Sequence, residues 1–60
     1  MKDLETILMN FIHLTNYGIN EIKLNNYSIS FLENKSKIIM NENENHNDYL
    51  FRIFDEHFSN

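Results

Sequence analysis

The stretch that decides the predicted fold runs from residue 21 to residue 41 and reads EIKLNNYSISFLENKSKIIMN. Its apolar residues alternate with polar ones in three runs, at about 21–24, 27–33 and 36–41. A period of two is the spacing that places side chains on one face of a β-strand. The sequence therefore predicts three consecutive strands over these ranges.

Two short polar links set the register of this predicted sheet. Asn25-Asn26 joins the first two runs and Asn34-Lys35 joins the last two, and Asn tolerates the positive φ of two-residue hairpin turns. With both turns in place, seven apolar side chains share one face, namely Ile22, Leu24, Tyr27, Ile29, Phe31, Ile38 and Met40. The pattern predicts an antiparallel meander.

Apolar residues at helical spacing precede the meander, and they are Leu4, Ile7, Leu8, Phe11 and Leu14. They predict a first helix over about residues 3–17, with Asp3 as its N-cap. Gly18 is the only glycine of the chain, and it is placed to end this helix. If Gly18 is the C′ residue, Ile19 and Leu14 occupy the two positions that touch in a Schellman motif.

A polar loop at 42–47 and a second helix over about 48–58 are predicted to follow the meander. The apolar stripe of this helix consists of Leu50, Ile53, Phe54 and Phe58. Tyr49 and Phe51 fall off that stripe, and their alternation with Ile53 leaves a strand as the alternative. Residues 1–60 are then a single α+β domain of αβββα order, a three-stranded antiparallel meander covered on one face by two helices.

Composition restricts the classes of function. A chain of 60 residues without cysteine has neither a disulfide nor a thiolate metal site, yet it is 42% hydrophobic. Because small domains without such staples commonly gain stability by oligomerising, we expect a homodimer. The candidate contacts for that dimer, or for an exposed sheet edge, are Leu32, Ile39 and Phe58.

No motif for catalysis, a cofactor or a metal is found. The three histidines share no metal-binding spacing, no serine lies in a nucleophile elbow, and one glycine cannot form a phosphate-binding loop. The sequence therefore predicts a protein that is not an enzyme and that needs neither cofactor nor metal.

The charge is unevenly distributed. Four lysines balance four acids over residues 1–40, whereas Arg52 faces five acids over 41–60, so the last third carries the whole net charge of −4. This distribution argues against phosphate-backbone binding and favours a partner protein with a basic or apolar surface.

The aromatic surplus of the second helix indicates where that partner binds. The candidate partner-binding residues are Tyr49, Phe51, Arg52, Asp55 and Glu56, since aromatic anchors ringed by polar groups are typical of interfaces. The alternative is that these aromatics belong to the core.

The predicted function is a small protein-interaction module, an inhibitor that binds and blocks a host protein, which includes proteins of anti-phage defence. The bias towards residues with AT-rich codons suggests a phage or mobile-element gene, and no secretory signal or membrane span is evident, so the host cytoplasm is the expected location. The alternatives are a small dimeric DNA-binding regulator and an accessory subunit of a larger complex.

Overall fold

The computed structural model describes residues 3–59, which contain three α-helices: Leu4–Asn16 (α1), Asn26–Ser36 (α2) and His46–Phe58 (α3). Within residues 3–59 there is no β-strand. The predicted α+β class, with its three-stranded meander at 21–24, 27–33 and 36–41, is therefore wrong.

The first helix forms as its sequence predicts. Asp3 caps its start, and Gly18 follows its end with a φ of 86°. The Gly18 N–H donates to the carbonyl of Thr15 over 2.9 Å, and the Ile19 N–H donates to the carbonyl of Leu14 over 3.1 Å. These are the two hydrogen bonds of a Schellman motif, so this predicted helix end is confirmed.

The middle run of the predicted meander is helix α2. Asn25, predicted as a turn residue, is its N-cap, and its side-chain oxygen accepts from the Ser28 N–H over 2.8 Å. Lys37 ends the helix in the left-handed conformation, with a φ of 63°. In a helix Ser28, Leu32 and Ser36 share one side, and Leu32 is 1% exposed. The helix is favoured over the strand because its backbone groups pair within the segment. It also buries Leu32, which the meander would place on its polar face.

The two flanking runs lack regular structure but keep the predicted alternation. Ile22 and Leu24 are half-buried around exposed Lys23. The same holds beyond α2, where Ile38 and Met40 are half-buried around exposed Ile39, the predicted dimer or edge residue. The period of two was therefore correct for these side chains.

Side chains supply the hydrogen bonds that a strand partner would provide. The Ile22 N–H donates to the Asn47 side-chain oxygen over 2.9 Å, and the Met40 N–H donates to the Glu33 carboxylate over 3.1 Å. Because these backbone donors are paired in this way, the flanking runs need no sheet.

The core draws on all three helices, and its buried members are Leu8, Phe11, Leu32, Tyr49, Leu50 and Ile53. Leu32, proposed from the sequence as a dimer or edge residue, lies in this core. The hydroxyl of Tyr49 donates to the carbonyl of Ile38 over 2.6 Å, which satisfies the one polar atom of a fully buried ring.

Candidate protein-binding face

Helix α3 has one buried and one exposed side. Asn45 caps it, since its side-chain oxygen accepts from the Asn47 N–H over 2.7 Å. The side that faces the core carries Tyr49, Leu50 and Ile53, each at most 1% exposed. The opposite side carries the residues that a partner can reach.

Four residues on the exposed side form a line down α3: Asp48, Phe51, Asp55 and Phe58, here called the outer stripe. Their spacing of three, four and three places them one above another on a helix. All four are exposed, and the two rings keep 43% (Phe51) and 44% (Phe58) of their surface open. The outer stripe thus alternates carboxylate and aromatic ring.

Other aromatic rings contact both Phe51 and Phe58. Phe51 meets the buried ring of Phe11 edge-on, with ring centroids 4.8 Å apart. Phe58 packs against Phe54 with centroids 4.6 Å apart, and against the ring of His57 at 4.8 Å. Because aromatic contacts restrict side-chain rotation, the rings lose less conformational entropy when a partner covers them.

The carboxylates of the outer stripe lack a neutralising cation within the described part of the chain. Among residues 3–59, the contacts between basic and acidic side chains are the ion pair of Arg52 with Glu44 and the approach of the His57 ring to Glu5 at 3.4 Å. Asp48 lies in the first turn of α3, where its charge also favours the helix N-terminus. Asp55 has no such role, and it leaves a solvated negative charge between the two rings.

Arg52 is engaged within the protein. Its guanidinium holds the Glu44 carboxylate with two hydrogen bonds, of 2.8 Å from Nε and 2.7 Å from Nη2. Nη2 also donates to the carbonyl of Ile39 over 2.9 Å. The hydrogen bond from Arg52 lowers the pKa of Glu44, and the same bond raises the pKa of Arg52. Arg52 therefore connects α3 to the segment between α2 and α3, which contains Ile39 and Glu44.

The structure divides the five predicted partner-binding residues. Phe51, Asp55 and Glu56 are exposed on α3, whereas Tyr49 is fully buried. Arg52 is also exposed, but its guanidinium is paired with Glu44. For Tyr49, the core alternative applies. Phe58, predicted as a dimer contact, belongs to the same face as Phe51, while Ile39 is 65% exposed in the link before α3.

Asp48 was not predicted as part of this face, although Phe51 and Asp55 were. Extending the spacing of three and four residues backwards from Phe51 and Asp55 reaches Asp48. The signal was therefore present, but it depended on placing Phe51 on the outer side of the helix.

A second apolar surface lies between α1 and α2. It is an open groove of about 1180 Å³ whose lining includes Ile7, Phe11, Leu14, Leu24, Phe31 and Leu50. Tyr27 stands at the same groove and is 81% exposed. Its shape would accept an apolar segment or ligand, but its lining carries both signs of charge, from Asp3, Glu5 and Lys35, so charge does not select one occupant.

Two of the three histidines, His46 and His57, make contacts within the fold. The ring of His46 accepts a hydrogen bond from the Leu24 N–H through Nδ1 over 2.9 Å, and His57 lies 3.4 Å from the Glu5 carboxylate. Over residues 3–59, no group of three His, Cys, Asp or Glu side chains is arranged to hold a metal ion.

The comparisons with known proteins give no family. No protein-family model, no curated protein and no solved structure matches this chain. Within residues 3–59, every helix is too short or too polar to cross a membrane.

Proposed function

We propose that this protein is a small, non-enzymatic interaction module that binds another protein through the outer stripe of α3. The observation that supports this is the pair of exposed, supported rings, Phe51 and Phe58, in line with two carboxylates. Aromatic side chains, phenylalanine included, are enriched at protein interfaces, where a few central residues carry most of the binding energy. Burying them removes apolar surface from water, which drives association.

The proposal includes the more specific role inferred from composition. A phage or mobile-element product of this size would act in the host cytoplasm by covering a surface of a host protein and so inhibiting it. An accessory subunit would use the same face within a larger complex. The net charge of −4 disfavours the alternative of a DNA-binding regulator.

The test uses matched aromatic variants. Tagged wild-type protein, the double variant Phe51→Ala/Phe58→Ala and the control Tyr17→Ala/Tyr27→Ala are each used to capture partners from a low-GC bacterial host. The control removes two rings that are 74% and 81% exposed and lie outside α3. Circular dichroism first shows that each variant is folded.

The proposal predicts a stoichiometric partner that wild type and the control retain and the α3 variant loses. Retention by the α3 variant, with loss by the control, would place binding at another surface and contradict the proposal. If wild type retains no stoichiometric partner in such hosts, the proposed inhibitor role is wrong.

A further inference from the structure

We infer that the outer stripe fits a basic amphipathic protein surface, with cations placed between apolar pockets, and does not fit a second copy of this chain. The inference rests on the proposed function and adds the chemistry of the partner. It comes from the alternation of charge and ring along Asp48, Phe51, Asp55 and Phe58.

The carboxylates require compensating groups once the face is covered. Any partner that buries Phe51 also removes water from Asp48 and Asp55, which flank it on the same line. A carboxylate that loses water without gaining a cation or hydrogen-bond donors is strongly disfavoured. Within residues 3–59 the basic groups of α3 are already committed, because Arg52 binds Glu44 and His57 lies beside Glu5. The compensating groups must therefore come from the partner, and cations pair with carboxylates more strongly than neutral donors do.

A second copy that contacts the outer stripe with its own α3 does not supply cations. If two α3 helices pack antiparallel about a two-fold axis, Asp48 of one copy lies over Phe58 of the other, and Phe51 lies over Asp55. Such a contact places all four carboxylates against aromatic rings. Charge complementarity, which favours an interface of opposite sign, is then absent.

The spacing defines the partner further. Asp48 and Asp55 are seven residues apart, which corresponds to about 10 Å along a helix. A complementary surface therefore presents two cationic groups about that far apart, on either side of an apolar pocket for Phe51. A basic amphipathic helix has this arrangement, since lysines seven residues apart share a face with intervening leucines.

Two model peptides test the inference directly. One is a helical peptide with leucine at core positions and lysine elsewhere, and the other has glutamate in place of every lysine. Fluorescence anisotropy measures binding of each peptide to the full chain, and amide chemical shifts locate the contact. We expect the basic peptide to bind at α3 with an affinity that falls as the salt concentration rises. The acidic peptide should bind more weakly.

The variant Asp48→Asn/Asp55→Asn should lower the affinity for the basic peptide by about two- to fivefold for each carboxylate removed. The control Glu21→Gln/Glu42→Gln makes the same change in net charge at two exposed acids outside α3 and should leave the affinity nearly unchanged. Equal losses in both variants, equal binding of both peptides, or shifts centred on the groove residues Leu14 and Tyr27 would each overturn the inference.

Failure of the inference is distinguishable from failure of the proposed function. If the captured partner depends on Phe51 and Phe58 but is indifferent to salt and to Asp48→Asn/Asp55→Asn, the interaction face stands and the basic partner is wrong. Sedimentation equilibrium tests whether a second copy of the chain occupies the outer stripe. A dimer that Phe51→Ala/Phe58→Ala dissociates would show that a second copy occupies the stripe, and would also overturn the inference.

Discussion

The backbone N–H of Leu24 donates to the imidazole Nδ1 of His46 over 2.9 Å, although 22 residues separate the two along the chain. The bond joins a segment without regular structure to the first turn of α3. The acceptor role requires that Nδ1 carries no proton. This contact, with the one from Ile22 to Asn47, holds the segment before α2 without a sheet.

Replacing His46 by alanine should destabilise the fold by roughly 1 kcal/mol, because the half-buried Leu24 amide loses its acceptor. Urea unfolding followed by circular dichroism gives the free energy of unfolding, and hydrogen exchange should be faster at the Leu24 amide. His13→Ala is the matched control, since His13 is exposed on α1. Equal unfolding free energies for the two variants would show that the His46 contact is not stabilising.

The N-cap of α2 distinguishes the helix from the hairpin that the sequence suggested. Asn25→Ala should destabilise the protein by about 0.5–2 kcal/mol, because the Ser28 amide loses the side chain that caps it. Asn26→Ala should change little or stabilise slightly, since alanine is a good helix former and Asn26 is the exposed first residue of α2. In a two-residue turn both asparagines would matter alike, so similar losses from both variants would argue against α2.

How far the sequence predicts this fold depends on the range of the interactions involved. Helix α1 and its Schellman end depend on neighbouring residues such as Leu14 and Gly18, so local rules sufficed. The pattern at Ile22 and Ile38 was also interpreted correctly as alternation between inside and outside. The error was to infer pairing between strands, because the actual hydrogen-bond partners, such as His46, are distant in sequence and lie on side chains.

The α2 region shows why periodicity alone was insufficient. Tyr27, Ile29 and Phe31 alternate, but Phe31 and Leu32 together also fit a helical face, and short runs of this kind are ambiguous. Leu32 and Ile39 were the two apolar residues that did not fit the apolar face of the meander, and of these Leu32 is buried in the helix. On α3, the aromatic and acidic composition was enough to identify Phe51 and Asp55. The burial of Tyr49 could not be predicted in this way, because it depends on which side of the helix faces the core.

The buried hydroxyl of Tyr49 should make the fold sensitive to alkaline pH. Burial raises the pKa of Tyr49 above its ordinary value of 10.0, so the ionised form is less favourable in the folded state than in the unfolded one. Stability is therefore full below about pH 10 and falls as the pH rises through the folded-state value. Unfolding midpoints measured from neutral to strongly alkaline pH should show this fall.

Tyr49→Phe should remove that alkaline loss and should cost about 0.5–1.5 kcal/mol at neutral pH, because the hydrogen bond to the Ile38 carbonyl is lost. Tyr27→Phe, at an 81% exposed ring, is the matched control. The stability of this control should match that of wild type from neutral to strongly alkaline pH. An alkaline transition that persists in Tyr49→Phe but disappears in Tyr27→Phe would contradict the assignment.

The contact between Arg52 and Glu44 should act at the acidic end of the pH range. The hydrogen bond from Arg52 lowers the pKa of Glu44 below its ordinary value of 4.5. Its contribution is therefore present above the unfolded-state value and is lost as the pH falls through the lower, folded-state value. Glu44→Gln should lower the unfolding midpoint at neutral pH and reduce the loss of stability between about pH 5 and pH 3. Glu42→Gln removes an exposed acid two residues away and should keep the wild-type acid profile. If both variants flatten the profile equally, net charge and not the Arg52 contact governs acid stability.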